Sequence, residues 1–302
     1  MDPLNEKGGK EKKKEKKYYG KLLIIIILIV LCIEYYAYVF EVMLKYMTQK
    51  NFKLILTLLI VFHCLLLFLL MAFISTINTN PGEIPLYWGF YIGDDDYKRK
   101  RYCLICNAFK PERCHHCSIC NRCTLNMDHH CPWVDNCIGF YNRKFFMQLL
   151  FCVVILTIYV DFSEFYFVAN MCFKLFKKQI KYSEIFHAGI VVICYAAVFI
   201  FSIIITMFWK FHMKLILTNS TTIESLDTEH KKDNKKFDLG YRQNWEQVFG
   251  VDPLFWFAPF PTKRGRPEGD GLTWKTNENN SIYNNLTDYN TNLNSNEPPS
   301  TK

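Results

Sequence analysis

Four long apolar stretches, separated by polar segments, form the main pattern of the sequence. Each contains 19 to 25 residues, which as a helix is long enough to cross roughly 30 Å of hydrocarbon. The pattern therefore predicts four membrane-spanning helices. They are Leu22–Phe40, Lys53–Ile77, Phe145–Val168 and Ile185–Trp209.

Polar segments divide the chain around these helices. One lies between the second and third helices, and another follows the fourth. The two ends have little apolar surface to bury, which is typical of disordered segments: a lysine-rich start and an Asn-rich tail. The predicted fold class is an all-α polytopic membrane protein with a polar domain between helices 2 and 3. The predicted boundaries are 1–21, 22–77, 78–144, 145–209, 210–264 and 265–302.

Basic residues are distributed unequally between the two sides of the membrane. Residues 1–21 contain eight lysines and residues 78–144 contain nine Lys or Arg, against three or four in each opposite loop. Because the number of spans is even, both ends share one side with the polar domain. The positive-inside rule predicts that this side is the cytosol, with both termini cytosolic.

The net charge of +8 indicates a membrane surface as the partner. The basic residues lie in the N-terminal tail and beside the apolar stretches, where they meet anionic lipid headgroups. A nucleic-acid-binding domain would show aromatic residues between its basic residues, whereas the aromatics here lie inside apolar runs. The lipid bilayer is therefore an expected partner, and nucleic acid is not.

The polar domain contains a dense cluster of cysteine and histidine. Between Cys103 and Cys137, 35 positions hold eight cysteines and four histidines. Cys-x2-Cys pairs bring two thiolates from one tight turn to a tetrahedral Zn²⁺. Two such zinc sites use eight ligands, so four of the twelve candidates are spare, and spacing alone does not say which.

A short stretch of this cluster carries a different chemistry. Asp128, His129 and Cys131 supply a carboxylate, an imidazole and a thiol in almost consecutive positions. These are the parts of an activated nucleophile: a thiolate, a base that takes its proton, and a carboxylate that orients the base. On spacing alone, Cys131 could equally be another zinc thiolate.

At these residues the chain closely resembles the DHHC-type protein S-acyltransferases, also called palmitoyltransferases. The resemblance includes the Cys-x2-Cys pairs and Asp-His-His-Cys-Pro-Trp at Asp128–Trp133, and it covers about residues 22–260. It extends to a Thr-Thr-x-Glu element at Thr221–Glu224 and to Asn244 in the C-terminal aromatic motif. One departure is Asn80 before Pro81, where the family has Asp, and this puts a local turn contact in doubt.

The resemblance implies two structural Zn²⁺ ions with interleaved ligands. Neither ion is bound by His129 or Cys131, and Cys114 becomes a spare thiol or a possible acylation site. Closed four-ligand sites would stabilise a segment that has little hydrophobic core of its own. The implied ligand sets are Cys103, Cys106, His116 and Cys123 at one site, and Cys117, Cys120, His130 and Cys137 at the other.

The expected activity is transfer of a long-chain acyl group from acyl-CoA, such as palmitoyl-CoA, to cysteines of other proteins. His129, oriented by Asp128, would take the proton of Cys131, and the thiolate would form an acyl-Cys131 intermediate. The resemblance places Thr222 beside Asp128 and gives Asn244 a supporting role. We further expect the segment from Phe255 to fold back against the helices or to lie at the membrane surface.

Acyl-CoA has two parts that need different contacts. Arg101, Lys110 and His115 lie in the cytosolic domain and are candidates for the CoA phosphates. Residues 98–100 would share this role or remain at the lipid surface as ordinary basic residues. Trp133 and Phe146 are candidates for the mouth of an acyl-chain cavity, or else they belong to the aromatic belt at the membrane interface.

The partners expected from this activity are cytosolic or membrane-associated proteins with reactive cysteines. The expected location is the Golgi or endoplasmic reticulum membrane, with the plasma membrane or a specialised organelle as alternatives. A different class of function is a catalytically inactive, zinc-stabilised membrane scaffold. That class predicts damage to Asp128, His129 or Cys131, and all three residues are present.

Overall fold

The computed structural model of the chain describes residues 3–86, 88–89, 101–227 and 236–277. Its helices are α1 Pro3–Tyr36, which continues as a π-helix over Ala37–Leu44, α2 Phe52–Asn78, α3 Arg143–Phe176, α4 Tyr182–Leu217, α5 Thr222–Leu226 and α6 Tyr241–Phe249, followed by a 3₁₀ turn at Pro253–Phe255. Its strands are β1 Tyr102–Cys103, β2 Ala108–Phe109, β3 His115–Cys117, β4 Arg122–Thr124, β5 His129–Cys131 and β6 Asn136–Ile138.

Four of these helices are long and apolar enough to cross a membrane, which confirms the four predicted spans. All four extend past the predicted limits at both ends, because a helix continues beyond the hydrocarbon as long as its backbone hydrogen bonds do. The chain is therefore a multi-pass membrane protein. The spans are Tyr19–Leu44, Phe52–Asn78, Arg143–Phe176 and Glu184–Leu217.

Helix α3 is the central helix of the bundle. In its most apolar window 56% of the residues are buried, against 17% in each of the first two spans and 22% in α4. Its first residues, Arg143 and Lys144, are also buried, at 2% exposure each. The start of α3 therefore lies inside protein, directly beneath the polar domain.

The prediction of an all-α fold is wrong in the polar domain. Three antiparallel hairpins lie between α2 and α3, with Tyr102 opposite Phe109, His116 opposite Cys123, and His130 opposite Cys137. Each turn reverses the chain within four residues, which pairs the flanking residues as short strands rather than as a helix. We call this segment, residues 101–142, the cysteine-rich domain.

The N-terminal segment also differs from the expectation of disorder over residues 1–21. Helix α1 begins at Pro3 and runs without a break into the first span. Lys and Glu are good helix formers, and Pro is favoured at the first helical position. The low hydrophobicity of this segment therefore does not prevent a helix.

The C-terminal tail begins later than predicted. Trp274 packs edge-to-face on Phe140, with 5.9 Å between ring centroids, and the backbone N–H of Asn277 donates to Lys236 O at 2.9 Å. Residues 265–277 are therefore part of the folded protein, because an aromatic side chain anchors them to the cysteine-rich domain. Residues 278–302 lie outside the described residues.

The end of α2 holds the cysteine-rich domain in place. Asn136 Nδ2 lies 3.2, 3.0 and 3.1 Å from the carbonyl oxygens of Thr76, Ile77 and Thr79, which are free of helical partners at the end of a helix. In the following turn, Asn80 Oδ1 accepts from the N–H of Gly82 at 3.0 Å. The amide oxygen thus makes a turn contact without a carboxylate.

Candidate active site and metal clusters

The three hairpins repeat with a period of 14 residues. Each turn begins with a cysteine, and its fifth residue adopts a left-handed backbone conformation, which Asn and Asp tolerate better than most residues. The chain therefore uses the same turn three times. The cysteines are Cys103, Cys117 and Cys131, and the left-handed residues are Asn107 (φ 50°), Asn121 (φ 55°) and Asp135 (φ 45°).

The first turn and the second hairpin form one cluster of metal-binding side chains. Cys103 and Cys106 come from the β1–β2 turn, while His116 and Cys123 face each other across β3 and β4. His116 Nδ1 lies 3.6, 3.2 and 3.9 Å from the Sγ atoms of Cys103, Cys106 and Cys123. One ion at this point would join two consecutive hairpins.

The second turn and the third hairpin form an equivalent cluster. Cys117 and Cys120 come from the β3–β4 turn, while His130 and Cys137 face each other across β5 and β6. His130 Nδ1 lies 3.4 Å from Cys120 Sγ and 3.8 Å from Cys137 Sγ, and these two sulfurs are 3.5 Å apart. The interleaving of the two ligand sets follows from this shift by one hairpin.

Both clusters have dimensions suited to a tetrahedral metal ion. Ligand bonds of about 2.3 Å for sulfur and 2.0–2.1 Å for nitrogen place neighbouring ligand atoms about 3.3–3.8 Å apart. The ligand atoms of each group lie within 4.8 Å of one another, and all thirteen cysteines are free. Two groups of three thiols and one imidazole can therefore each hold a metal ion. Their membership is the one that the resemblance implies.

The third turn departs from the pattern at one position. Cys131 stands where Cys103 and Cys117 begin their turns, but Val134 replaces the second cysteine. Helix α3 follows instead of a fourth hairpin, so no further His and Cys pair is available. Cys131 is therefore outside both metal clusters. It is buried, at 6% exposure, beneath the same hairpin that carries His129.

Asp128 and His129 form a hydrogen-bonded pair beside this thiol. Asp128 Oδ2 lies 2.7 Å from His129 Nδ1, so the carboxylate holds the proton on Nδ1 and leaves the other ring nitrogen able to accept one. Burial lowers the pKa of His129, but the hydrogen bond to Asp128 and the contact with Cys131 outweigh it and raise the pKa to about 9. The arrangement suits transfer of a proton from Cys131 to His129.

Asp128 is completely buried and surrounded by donors. The Thr222 N–H donates to Oδ1 at 3.0 Å, the Thr222 hydroxyl donates to Oδ2 at 2.8 Å, and Arg143 Nη2 lies 3.3 Å from Oδ1. Burial alone would raise the pKa of Asp128, but Arg143 and His129 outweigh it and hold the pKa well below its usual range. The carboxylate therefore stays ionised.

His212 is a residue of this site that the sequence interpretation missed. It is 2% exposed, its Nδ1 lies 3.8 Å from Asp128 Oδ2, and its ring packs against Phe146 with centroids 5.1 Å apart. The available signal was a histidine in the helix that leads directly into the Thr221–Glu224 element. An ionisable group there is a functional candidate by default.

Asp128, His129 and His212 are close enough together to bind a metal. The charge around them argues against it. Both oxygens of Asp128 already accept hydrogen bonds, and the buried guanidinium of Arg143 adds a positive charge that would repel a cation. The group is therefore better described as an oriented carboxylate and imidazole pair with a second histidine packed against it.

Arg113 connects the cysteine-rich domain to the C-terminal segment. Its guanidinium makes a bidentate ion pair with Glu224, at 2.7 and 2.9 Å, and donates to the backbone oxygen of Asn219 at 2.8 Å. The guanidinium also lies over the rings of Phe237 and Trp274, at 4.4 and 4.5 Å. This ion pair positions α5, and α5 in turn brings Thr222 to Asp128.

Asn244 and the aromatic segment support the site from the end of α4. Asn244 is fully buried, and its Nδ2 donates to Leu217 O at 2.7 Å. Lys144 Nζ donates to Phe255 O at 2.6 Å, and Gln148 Nε2 donates to Trp256 O at 2.8 Å. The aromatic segment therefore folds back against α3, as one of the two expectations had it.

The candidate contacts for acyl-CoA occupy two places. Arg101 donates to Lys110 O and Pro111 O, at 3.3 and 2.6 Å. Burial lowers the pKa of His115, and the positive charges of Arg101 and Lys110 lower it further. Residues 98–100 lie outside the described residues.

Trp133 and Phe146 differ in exposure. Trp133 is 54% exposed, whereas Phe146 is 3% exposed and packs edge-to-face on His129, with 5.2 Å between centroids. The structure thus brings Phe146 to the Asp128 and His129 pair and leaves Trp133 at the surface of the same hairpin turn as Cys131. Cys114 is the other thiol of the cysteine-rich domain that belongs to neither metal cluster. It is buried, at 1% exposure, and burial raises its pKa to about 12.

A comparison with known proteins agrees with these features. The family model for the DHHC palmitoyltransferase matches residues 96–229. Probable protein S-acyltransferase 14 from Arabidopsis thaliana is 33% identical over 245 residues, covering 72% of this chain and 78% of the relative. Palmitoyltransferase ZDHHC15 from Rattus norvegicus is 31% identical over 290 residues, covering 85% and 82%. The chain therefore belongs to the DHHC palmitoyltransferase family, which makes it a protein S-acyltransferase.

Proposed function

We propose that this enzyme transfers a long-chain acyl group from acyl-CoA to cysteine thiols of other proteins through an acyl-Cys131 intermediate. The observation that carries the proposal is the Asp128 and His129 pair beside Cys131, a thiol that neither metal cluster uses. A thiol, a base and an orienting carboxylate are what thioester exchange requires. The intact set also argues against an inactive scaffold.

The first half-reaction begins when His129 accepts the proton of the Cys131 thiol. The thiolate attacks the thioester carbonyl carbon of acyl-CoA, the carbon–sulfur bond to CoA breaks, and the CoA thiolate takes the proton back from His129. The second half-reaction repeats these steps with a target cysteine as nucleophile and Cys131 as leaving group. Asp128 keeps the imidazole in one tautomer and one orientation throughout.

Two structural Zn²⁺ ions would occupy the two clusters of the cysteine-rich domain. Each would be held by three thiolates and one imidazole, which leaves no open position for a substrate. The ions would supply cross-links between hairpins and no chemistry. Their role would be to hold the third turn, and with it Cys131, against the start of α3.

The substrate would be bound in two parts. Arg101 and Lys110 offer positive charge to the CoA phosphates, and the neutral imidazole of His115 offers a hydrogen-bond donor. The acyl chain would lie among the membrane helices, where each methylene removed from water contributes about 0.8 kcal/mol. Phe146, next to His129, is suited to the entrance of that space, and the exposed Trp133 is suited to the membrane interface.

We propose that the chain lies in an endomembrane, the Golgi or endoplasmic reticulum. The cysteine-rich domain and both termini would face the cytosol. The excess of Lys and Arg in residues 1–21 and 78–144 supports this orientation. Acyl-CoA and the cysteines of cytosolic or membrane-associated proteins would then meet Cys131 at the cytosolic interface. Imaging of the tagged chain, with protease protection of each terminus, tests the location.

His129→Gln tests the role of the base. We expect the rate of acyl-enzyme formation from labelled palmitoyl-CoA to fall about 10²–10⁴-fold in single turnover, because proton transfer is lost while binding is kept. The control is His187→Gln. His187 lies near the start of α4, away from the end of that helix that contacts Asp128, and half of its side chain is exposed. An unchanged rate in His129→Gln would exclude His129 as the base.

Thr222→Val tests the support of Asp128 by α5. The substitution removes the hydroxyl donor to Asp128 and keeps the shape and the backbone N–H. Since a hydrogen bond to a charged group contributes about 1.5–3 kcal/mol, we expect the maximal rate to fall about tenfold or more with KM for palmitoyl-CoA unchanged. Thr222→Ser keeps the hydroxyl and should restore the rate; equal loss in both variants would contradict the proposed contact.

A further inference from the structure

A groove of about 350 Å³ lies between the end of α4 and the start of α6. It is separate from the candidate active site. The walls are formed by Trp209, Lys210, Met213 and Lys214 of α4, together with Tyr241 of α6. Most of the lining is apolar, and two of the residues that form it are lysines.

Two lysines of the groove have no acidic partner among the described residues. Lys210 and Lys214 make no ion pair with any residue in the described part of the chain, and they lie one turn apart on the same face of α4. Two neighbouring ammonium groups of this kind are complementary to an anionic oxygen ligand.

The groove faces away from the catalytic residues. Successive residues of an α-helix rotate by about 100°, so Lys210 and Lys214, each two residues from His212, lie about 160° around the axis from it. His212 contacts Asp128, which places the active site on the other face of α4. A ligand in the groove would therefore not occupy the position of acyl-CoA at Cys131.

The groove lies at the level of the lipid headgroups. Helix α4 has 36 residues and is about 54 Å long, so it extends well past roughly 30 Å of hydrocarbon. Lys214 lies three residues before the end of α4, and Thr222, five residues after that end, contacts Asp128 of the cysteine-rich domain. Both lysines are therefore on the domain side of the membrane, beside exposed apolar residues such as Phe211, which is 42% exposed.

We propose that this groove binds the phosphate headgroup of an anionic phospholipid from the leaflet on the side of the cysteine-rich domain. The two ammonium groups would neutralise the phosphate, and the apolar wall would contact the top of the acyl chains. The bound lipid would join α4 to α6, the helix that carries Asn244. This site does not depend on the proposed acyl-transfer mechanism.

The test measures binding of phosphatidic acid to the purified full-length chain in detergent micelles by native mass spectrometry. We expect one tightly bound lipid per chain, and binding weaker by tenfold or more in Lys210→Ala/Lys214→Ala, since each basic residue near the surface contributes on the order of fivefold. Lys210→Arg/Lys214→Arg should retain binding. Lys177→Ala/Lys181→Ala, in the loop between α3 and α4 on the other side of the membrane, is the matched control.

Two competitors distinguish the source of the phosphate. Phosphatidylcholine, with no net charge, and inorganic phosphate, with no acyl chains, should each fail to displace phosphatidic acid at equal concentration. The proposal is wrong if the double alanine variant binds like wild type or if phosphatidylcholine competes equally. Equal competition by inorganic phosphate would show a free-anion site and not a lipid site.

Discussion

Cys131→Ser is expected to lose the acyl label completely when the purified protein is incubated with radioactive palmitoyl-CoA. Wild-type protein should carry a hydroxylamine-sensitive label, because a thioester is cleaved by hydroxylamine. Transfer to a target protein should fall on the order of 10⁴-fold or more, since no covalent route remains without the nucleophile. The same variant should keep its metal, because Cys131 belongs to neither cluster.

Cys64→Ser is the control for this experiment. Cys64 is an exposed thiol of α2, far along the chain from the cysteine-rich domain. In the Cys64→Ser protein, Cys131 should be labelled as strongly as in wild type. Zinc content, measured by mass spectrometry of the metal, separates the two roles of a cysteine here. A Cys131→Ser protein that loses label and also loses zinc would mean that Cys131 is a ligand, and one that labels normally would mean that another thiol is the nucleophile.

Cys120→Ser is expected to lose zinc and activity together. Wild-type protein should contain two Zn²⁺ per chain and the variant one or none, because Cys120 lies 3.4 Å from His130 Nδ1 within the second cluster. Structural zinc contributes about 10–16 kcal/mol of binding free energy in small domains, comparable to the roughly 5–15 kcal/mol that stabilises a whole protein. Loss of this ion should therefore unfold the third hairpin and expose it to limited proteolysis.

Cys114→Ser is the matched control for the metal experiment. Cys114 is a buried thiol in the same domain, next to the first cluster in the fold but not a member of it. The Cys114→Ser protein should keep both zinc ions, even if burial of the serine hydroxyl lowers the stability of the protein by a few kcal/mol. If Cys114→Ser and Cys120→Ser lose the same amount of zinc, the assignment of ligands is incorrect.

The membrane helices could be predicted from sequence because crossing hydrocarbon is a local requirement. Twenty or so consecutive apolar residues suffice, whatever packs beside them. Their order in the bundle is not local: that α3 is central depends on which faces meet, and it appears only in its buried residues. The same holds for Trp274, which lies against Arg113 and anchors residues that were predicted to belong to a disordered tail.

The metal clusters were partly encoded in a repeat. The 14-residue period of turn cysteines, read together with Val134 at the place of a second thiol, would separate Cys131 from the ligands without any relative for comparison. The predicted all-α class failed in the same segment. Hydropathy does not report short hairpins, which are held by turns and cross-strand pairs such as His130 and Cys137.

Residues close together in the chain set the four spans, the Cys-x2-Cys turns, and the adjacency of Asp128, His129 and Cys131, so these features could be predicted from the sequence. Which ligands share an ion, and how Asp128 is kept ionised, depends instead on contacts between distant parts of the fold. Arg143, His212 and Thr222 reach Asp128 from three other places in the fold. A buried carboxylate depends on such distant donors, since burial without them would favour its neutral form.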